Sequence, residues 1–282
     1  SPATVRRLAD LAGTETSPVV RLYLASALHR MALDDRWSIA LKLVRHAEDR
    51  DDHNIPLVLW YAIEPLVPAD PGGALALAHA SRIPLITRYV YRRLASGRRP
   101  NLDLLCEALG EASDDSARVT ILNEMLLALE KRPDVPKPQA WPDIAKRFLR
   151  AESASVIDRT VSLAVIFGDR TVLPILRRTL SDVAAPAARR KAALSSLMRM
   201  RDPDLAGRLH VLLDDTVMRN DAIRRLASFD DDRTPGLLLQ NFERFDTGAK
   251  DAVAKTLASR PAFAKALLEA IVDKRISSDV LA

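Results

Sequence analysis

Residues 53–67 read HNIPLVLWYAIEPLV. From Ile55 to Ile63 no side chain is charged, and a carboxylate, Glu64, then stands directly before Pro65. A bilayer-spanning helix needs about 20 apolar residues, so this run is too short to cross a membrane. No basic cluster followed by an apolar run marks an export signal within these 282 residues, which leaves a soluble segment as the expectation. A helix apolar on every side must be covered by protein. The stretch therefore asks for neighbours on most of its surface.

Composition says what kind of neighbours. Hydrophobic residues make up 48% of the chain but aromatics only 5%, and Gly is limited to nine positions, so Ala, Leu and Arg set the backbone preference. These are helix formers, and an all-α protein is expected. No Gly/Ser-rich or low-complexity linker divides the chain, so residues 1–282 are read as one continuous domain. The single cysteine, Cys106, lies on the apolar face of a predicted helix and is read as a core thiol. The net charge of +5 combines 42 basic with 37 acidic residues spread along the chain, a pattern of solvated helix faces more than of a phosphate track.

Self-similarity organises the sequence. Segments from about Arg189, Arg219 and Lys250 each show a helix ending near a Leu, a short polar break and a second amphipathic helix. One anchor per unit falls at Leu28, Ile63, Leu94, Leu129, Ile166, Leu197, Leu226 and Leu257. The successive gaps are 35, 31, 35, 37, 31, 29 and 31 residues, in and just below the range of two-helix repeats. Each hairpin carries a stripe that it cannot bury alone, so stacking is required. The expected architecture is a right-handed α-solenoid of about eight HEAT-like helical hairpins.

Punctuation marks the same units. Ser17-Pro18, Asp70-Pro71 and Asp202-Pro203 each read as an N-cap followed by Pro at the first helical position. Val20, Leu24, Ala27, Leu28 and Met31 share one predicted helix face. Residues 2–12 form an amphipathic helix with no hairpin partner before it, and Ser277-Ser278-Asp279 looks like a cap opening another helix. Neither end shows a polar capping repeat, so an excised segment of a longer protein is expected.

In such an array the helix over Asn54–Val67 is flanked on both sides. Ile55, Leu59, Ala62, Ile63 and Leu66 form one face, and Leu57, Trp60, Tyr61 and Glu64 another. A buried lone carboxylate is costly, so Glu64 should either pair with an Arg from an adjacent repeat, with Arg21, Arg92 and Arg93 as candidates, or open onto the groove.

The runs SPVVRLYLASALHR and DRWSIALKLVRHAEDRDDHNIPLVLWYAIEPLV resemble the HEAT-repeat region of PVC-type haem-binding CxxCH proteins, also called membrane-bound dehydrogenase domain proteins. The likeness is strongest over residues 17–67, and ISSDVLA at the end is similar again. It implies an exported, periplasmic multidomain redox protein in which a β-propeller, a helical repeat region and a c-type cytochrome module follow one another. The present chain has no CxxCH, so the resemblance makes it the middle segment, holding the other modules or docking a protein on its concave face.

Other constellations compete with that reading. His46 and His53, with Glu48, Asp51 and Asp52 between them, cluster at one interhelix loop. Their spacing does not place two His on one helix face, and Asp52 is better used as a cap, so capping is preferred to metal. RYVYRRLASGRR, from Arg88 to Arg99, mixes Arg with Tyr89 and Tyr91 and imitates a nucleic-acid surface of the kind DNA-binding HEAT-like glycosylases use. Trp37 and Trp141 are read as opening helices and stapling hairpins. His29, His79 and His210 are read as ordinary helical histidines. No G-x-S-x-G, H-E-x-x-H or P-loop pattern occurs.

The expectation is a non-catalytic scaffold or protein-interaction domain with no cofactor in this segment. The candidate interaction surface comprises His53, Asn54, Trp60, Tyr61, Glu64, Arg88, Arg92 and Arg93. The alternative is a basic HEAT-like nucleic-acid binder, with a DNA-repair glycosylase as its enzymatic form.

Overall fold

A computed structural model describes residues 1–277. These residues are all-helical, with no strand among them. The terminal cap expected at Ser277-Ser278-Asp279 lies, from Ser278 onward, outside the described residues. The chain packs as two compact units, residues 1–169 and the remainder from Arg170.

The first unit holds ten helices: α1 (Pro2–Thr14), α2 (Pro18–Leu28), α3 (Leu33–Leu43), α4 (Ile55–Ile63), α5 (Pro71–Ala80), α6 (Pro84–Ala95), α7 (Leu102–Glu111), α8 (Asp115–Leu129), α9 (Trp141–Phe148) and α10 (Ala154–Ile166). Proline opens several of them, because its missing N–H is one that a first turn leaves unbonded anyway. Each even-numbered helix packs on the next: α2 on α4, α4 on α6, α6 on α8 and α8 on α10. On the other side α1 packs on α3 and α7 on α9, while α5 lies against α6.

The second unit continues with α11 (Leu173–Ser181), α12 (Ala187–Arg199), α13 (Leu205–Val211), α14 (Arg219–Leu226), α15 (Arg233–Asn241), α16 (Thr247–Ala258) and α17 (Pro261–Val272). Here α11 packs on α12, α13 on α14, α14 on α16, and α17 on both α15 and α16.

The repeat anchors explain this packing. Leu28, Ile63, Leu94, Leu129, Leu197, Leu226 and Leu257 each sit near the C-terminal end of an even-numbered helix, and all are fully buried. Only Ile166 is half-buried; Leu163, one turn earlier, takes its place in the core. Truncating any of the buried leucines to Ala is expected to remove about 2–5 kcal/mol.

Polar side chains tie neighbouring repeats where apolar packing ends. Arg21, though on α2, is fully buried: its Nε donates to Asp49 Oδ2 at 2.7 Å and its Nη1 to the Glu15 carbonyl at 3.0 Å. Arg36 donates to the Ala62 carbonyl at 3.0 Å, and Arg147 to that of Gly110 at 3.0 Å. These carbonyls belong to last turns, which lack intrahelical donors. Trp141 does staple hairpins, since its indole N–H donates to Asp169 at 2.9 Å and its ring meets Phe167 edge-on at 4.8 Å.

Several sequence expectations need correction. The buried face of α2 is Arg21, Leu24, Ala25 and Leu28, with Val20, Ala27 and Met31 only partly covered. Asp202 does not cap a helix at Pro203: Arg177 holds both its oxygens, and α13 starts two residues later, at Leu205. Trp37 lies in the middle of α3 and is partly exposed.

Candidate interaction face

The opening stretch folds as α4 followed by a single 3₁₀ turn, Glu64–Leu66. Pro65 has no N–H for the Tyr61 carbonyl, so the α-helical ladder ends where the sequence reading carried it on to Val67. Asp52 caps the start, as expected, accepting from the amides of Asn54 and Ile55 at 2.8 Å each. Those two bonds hold the Asp52 carboxyl below its usual range.

The helix is not hidden all round. Ile55, Leu59, Ala62 and Ile63 are fully buried, whereas Leu57 is 38% and Tyr61 59% exposed. Aligning α4, α6 and α8 on their anchors places Leu57, Arg88 and Asn123 six residues before the anchor, and Tyr61, Arg92 and Leu127 two residues before it. Each helix of this row has a neighbour on either side, so these positions form its solvent face. The face runs from Leu57 and Tyr61 through Arg88 and Arg92 to Asn123 and Leu127, which is 58% exposed.

Beneath it lies a linked set of side chains. Trp60 is buried against Tyr89, ring edge to ring face at 5.3 Å. The Arg92 guanidinium stands 5.4 Å from the Tyr89 ring centre and donates from Nε to Glu124 Oε2 at 2.7 Å. Glu124 is a buried carboxylate, so Arg92 is what allows it there. Arg159 donates to Asn123 and extends the same row to α10.

Of the expected surface, Tyr61, Arg88 and Arg92 fall on this one face by their register on α4 and α6. Trp60 belongs beneath the face, because its indole packs on Tyr89. His53 and Asn54 are exposed at the far end of α4, about 15 Å or more from Glu64 across a nine-residue helix and its caps. Glu64 meets Arg93, as one of three candidates, at 3.6 Å, with close to half of its side chain in solvent. Arg21 and Arg92 are engaged instead by Asp49 and Glu124. Leu127, Asn123 and Glu124 were missed; the anchor register alone could have found the first two.

The competing sites resolve as structural contacts. His46 bridges the Ala12 carbonyl at 2.7 Å and Glu48 at 3.0 Å. Among the described residues no group of three or more His, Cys, Asp or Glu side chains could hold a metal ion. Burial, helped by Asp103 and Glu107, pushes the Cys106 thiol up to about 12. His29 bonds to the Val58 carbonyl at 3.0 Å. His210 bonds to Thr234 at 2.9 Å, and burial lowers its proton affinity.

None of the described helices is long and apolar enough to cross a membrane. No family model, curated protein or solved structure matches the chain.

Proposed function

We propose that the chain is a non-catalytic interaction module: a right-handed solenoid of about eight HEAT-like hairpins whose α4–α6–α8 face docks a protein partner. The observation that carries this reading is the pattern on that face. Exposed apolar groups at Leu57, Tyr61 and Leu127 flank the arginines Arg88 and Arg92. An aromatic and arginine-rich patch with an apolar border is the composition of contact hot spots. The exposed face is held by side chains already locked in place, Tyr89 by Trp60 and Arg92 by Glu124, so little ordering remains to be done on binding.

The partner follows from the resemblance of residues 17–67. Neighbouring modules of an exported, periplasmic redox protein, a propeller and a c-type cytochrome, are the proposed contacts. Sedimentation of the chain with those modules, expressed separately from its own gene, tests the reading. A common boundary is expected, and Tyr61→Ser with Leu127→Ser should weaken it about tenfold or more. Two independent boundaries would refute it.

Nucleic-acid binding is the rival, and Arg88, Arg98 and Arg99 favour it as exposed cations on and just after α6. The aromatic rings weigh against it, since Tyr91 is buried and Tyr89 is already covered by Trp60 and Arg92. A gel shift of duplex DNA that weakens steeply with salt would support the rival.

A further inference from the structure

On the α4–α6–α8 face the charges do not balance. Of the six side chains that stand six and two residues before the anchors, Arg88 and Arg92 are cations and none is a carboxylate. The carboxylate beneath them, Glu124, is buried and taken by Arg92 Nε at 2.7 Å. Both Nη groups of Arg92 are left without a bond to a described residue, and 40% of its side chain is in solvent. Arg88 is exposed and forms no hydrogen bond or ion pair among the described residues. The two guanidinium groups lie four residues apart on α6, a like-charge spacing that disfavours a helix.

The same register in the second unit is arranged differently. Six and two residues before Leu197, Leu226 and Leu257, the cations are Lys191, Arg224 and Lys255. Each has a carboxylate: Lys191 and Arg224 meet Asp221 at 3.1 and 3.9 Å, and Lys255 meets Asp251 at 2.8 Å. Equivalent positions are thus charge-balanced in one unit and left open in the other. No carboxylate at the border of the open face makes up the difference. Glu64 is answered by Arg93 at 3.6 Å, and Glu130, past the end of α8, is followed at once by Lys131 and Arg132.

We propose that the protein segment docked on this face is acidic: it carries a carboxylate for Arg88 and the free edge of Arg92, between two apolar side chains. One apolar side chain lies on Leu57 and Tyr61, the other on Leu127. The inference rests on the reading of this face as a docking site and adds the chemistry of what docks there. Packed helices lie about 8–10 Å apart, which sets the distance from the carboxylate to each apolar contact. The apolar contacts at both borders shield the central ion pair from water, which is where a charge pair discriminates between partners most strongly. A phosphate backbone would also answer the arginines, but it offers nothing apolar to Leu57 and Leu127, which are 38% and 58% exposed.

The test is fluorescence polarisation with the full chain and a labelled peptide amide, Leu-Pro-Ser-Glu-Pro-Ser-Leu. Its prolines favour the polyproline II form, in which residues three apart share one edge about 9 Å from each other, close to the helix spacing. It should bind about fivefold tighter than the same peptide with Gln for Glu, and about 500 mM NaCl should remove most of that difference. Arg88→Glu, at an exposed position, should reverse the preference, and Tyr61→Ser should weaken both peptides alike, each with helical content unchanged. Equal binding of the two peptides, no saturation below about 1 mM, or an Arg88→Glu chain that keeps the preference would overturn the proposal. Displacement of the peptide by an equimolar amount of duplex DNA would overturn the assignment to a protein segment. Sedimentation with the modules separates the two readings. Independent boundaries with the peptide preference intact would refute module docking and leave the acidic segment standing, whereas a common boundary unaffected by Arg88→Glu would refute the acidic segment alone.

Discussion

Replacing Asp49 by Ala strands the most deeply buried cation of the first unit. Arg21 is 1% exposed and loses two charge-assisted bonds at once, from Nε at 2.7 Å and Nη2 at 2.5 Å. Removing one partner of a buried pair costs about 3–5 kcal/mol, because the other charge is left without compensation. Two features of the site pull the figure to the lower end. Nη1 keeps its bond to the Glu15 carbonyl at 3.0 Å, and the Glu48 carboxylate, 3.6 Å away and more than half exposed, can swing closer. The expected loss is about 3 kcal/mol, or roughly 6–12 °C in the melting of a unit of this size. Asp51, in the same loop, is a control, since its side chain is 88% exposed and Asp51→Ala should change stability by less than about 0.5 kcal/mol. Urea melts followed by circular dichroism measure both. The double change Arg21→Met with Asp49→Leu should recover most of the loss, as apolar replacements of buried pairs do. A loss under 1 kcal/mol for Asp49→Ala, or equal losses for Asp49→Ala and Asp51→Ala, would refute the account of this contact.

Glu64→Ala should cost no more than about 1 kcal/mol, because the pair with Arg93 is long and half-solvated; a larger fall in the urea midpoint would restore the buried glutamate of the sequence reading. Arg92→Met leaves Glu124 buried without its cation, and a loss of about 2–4 kcal/mol is expected in the same assay. Carboxylates of the second unit give it an acid limit. Arg177 holds the Asp202 carboxyl below its ordinary value, Arg190 does so for Asp215, and Arg233 brings Asp231 down to about 2. The unfolded chain then binds more protons than the folded one, so this stability is complete above the usual carboxylate value near 4 and is lost as pH falls toward 2. Asp202→Asn should flatten that part of the stability–pH curve. Cys106 should resist thiol reagents at pH 8 in the folded protein and react in urea; rapid native labelling would contradict its burial.

The repeat period was legible because it rests on apolar side chains with a single possible destination. A Leu that recurs every 29–37 residues between amphipathic helices can only be covered by the neighbouring repeat, and seven of eight anchors are fully buried at matching helix positions. Polar destinations were not legible. In EDRDD the residues Glu48, Asp49, Asp51 and Asp52 look alike, yet only Asp49 turns inward to Arg21 while Asp52 caps α4. That choice is made by the turn at Ala47–Asp51 and by the helix behind it, which no local pattern records. Trp60 shares a predicted helix face with Tyr61 and Glu64, and the sequence pattern alone puts it on the surface. The 100° between consecutive residues is enough to turn Trp60 onto Tyr89 while leaving Tyr61 in solvent.

Hydroxyl-radical footprinting of Tyr61 tests the proposed docking face most directly. Tyr61 is 59% exposed in the chain described here, and Tyr23, 72% exposed on α2, serves as the reference. In the presence of the proposed propeller and cytochrome modules, Tyr61 should be oxidised several-fold more slowly than in the free chain, relative to Tyr23. Unchanged reactivity of Tyr61 when those modules are present would contradict the assignment of this face to module contact.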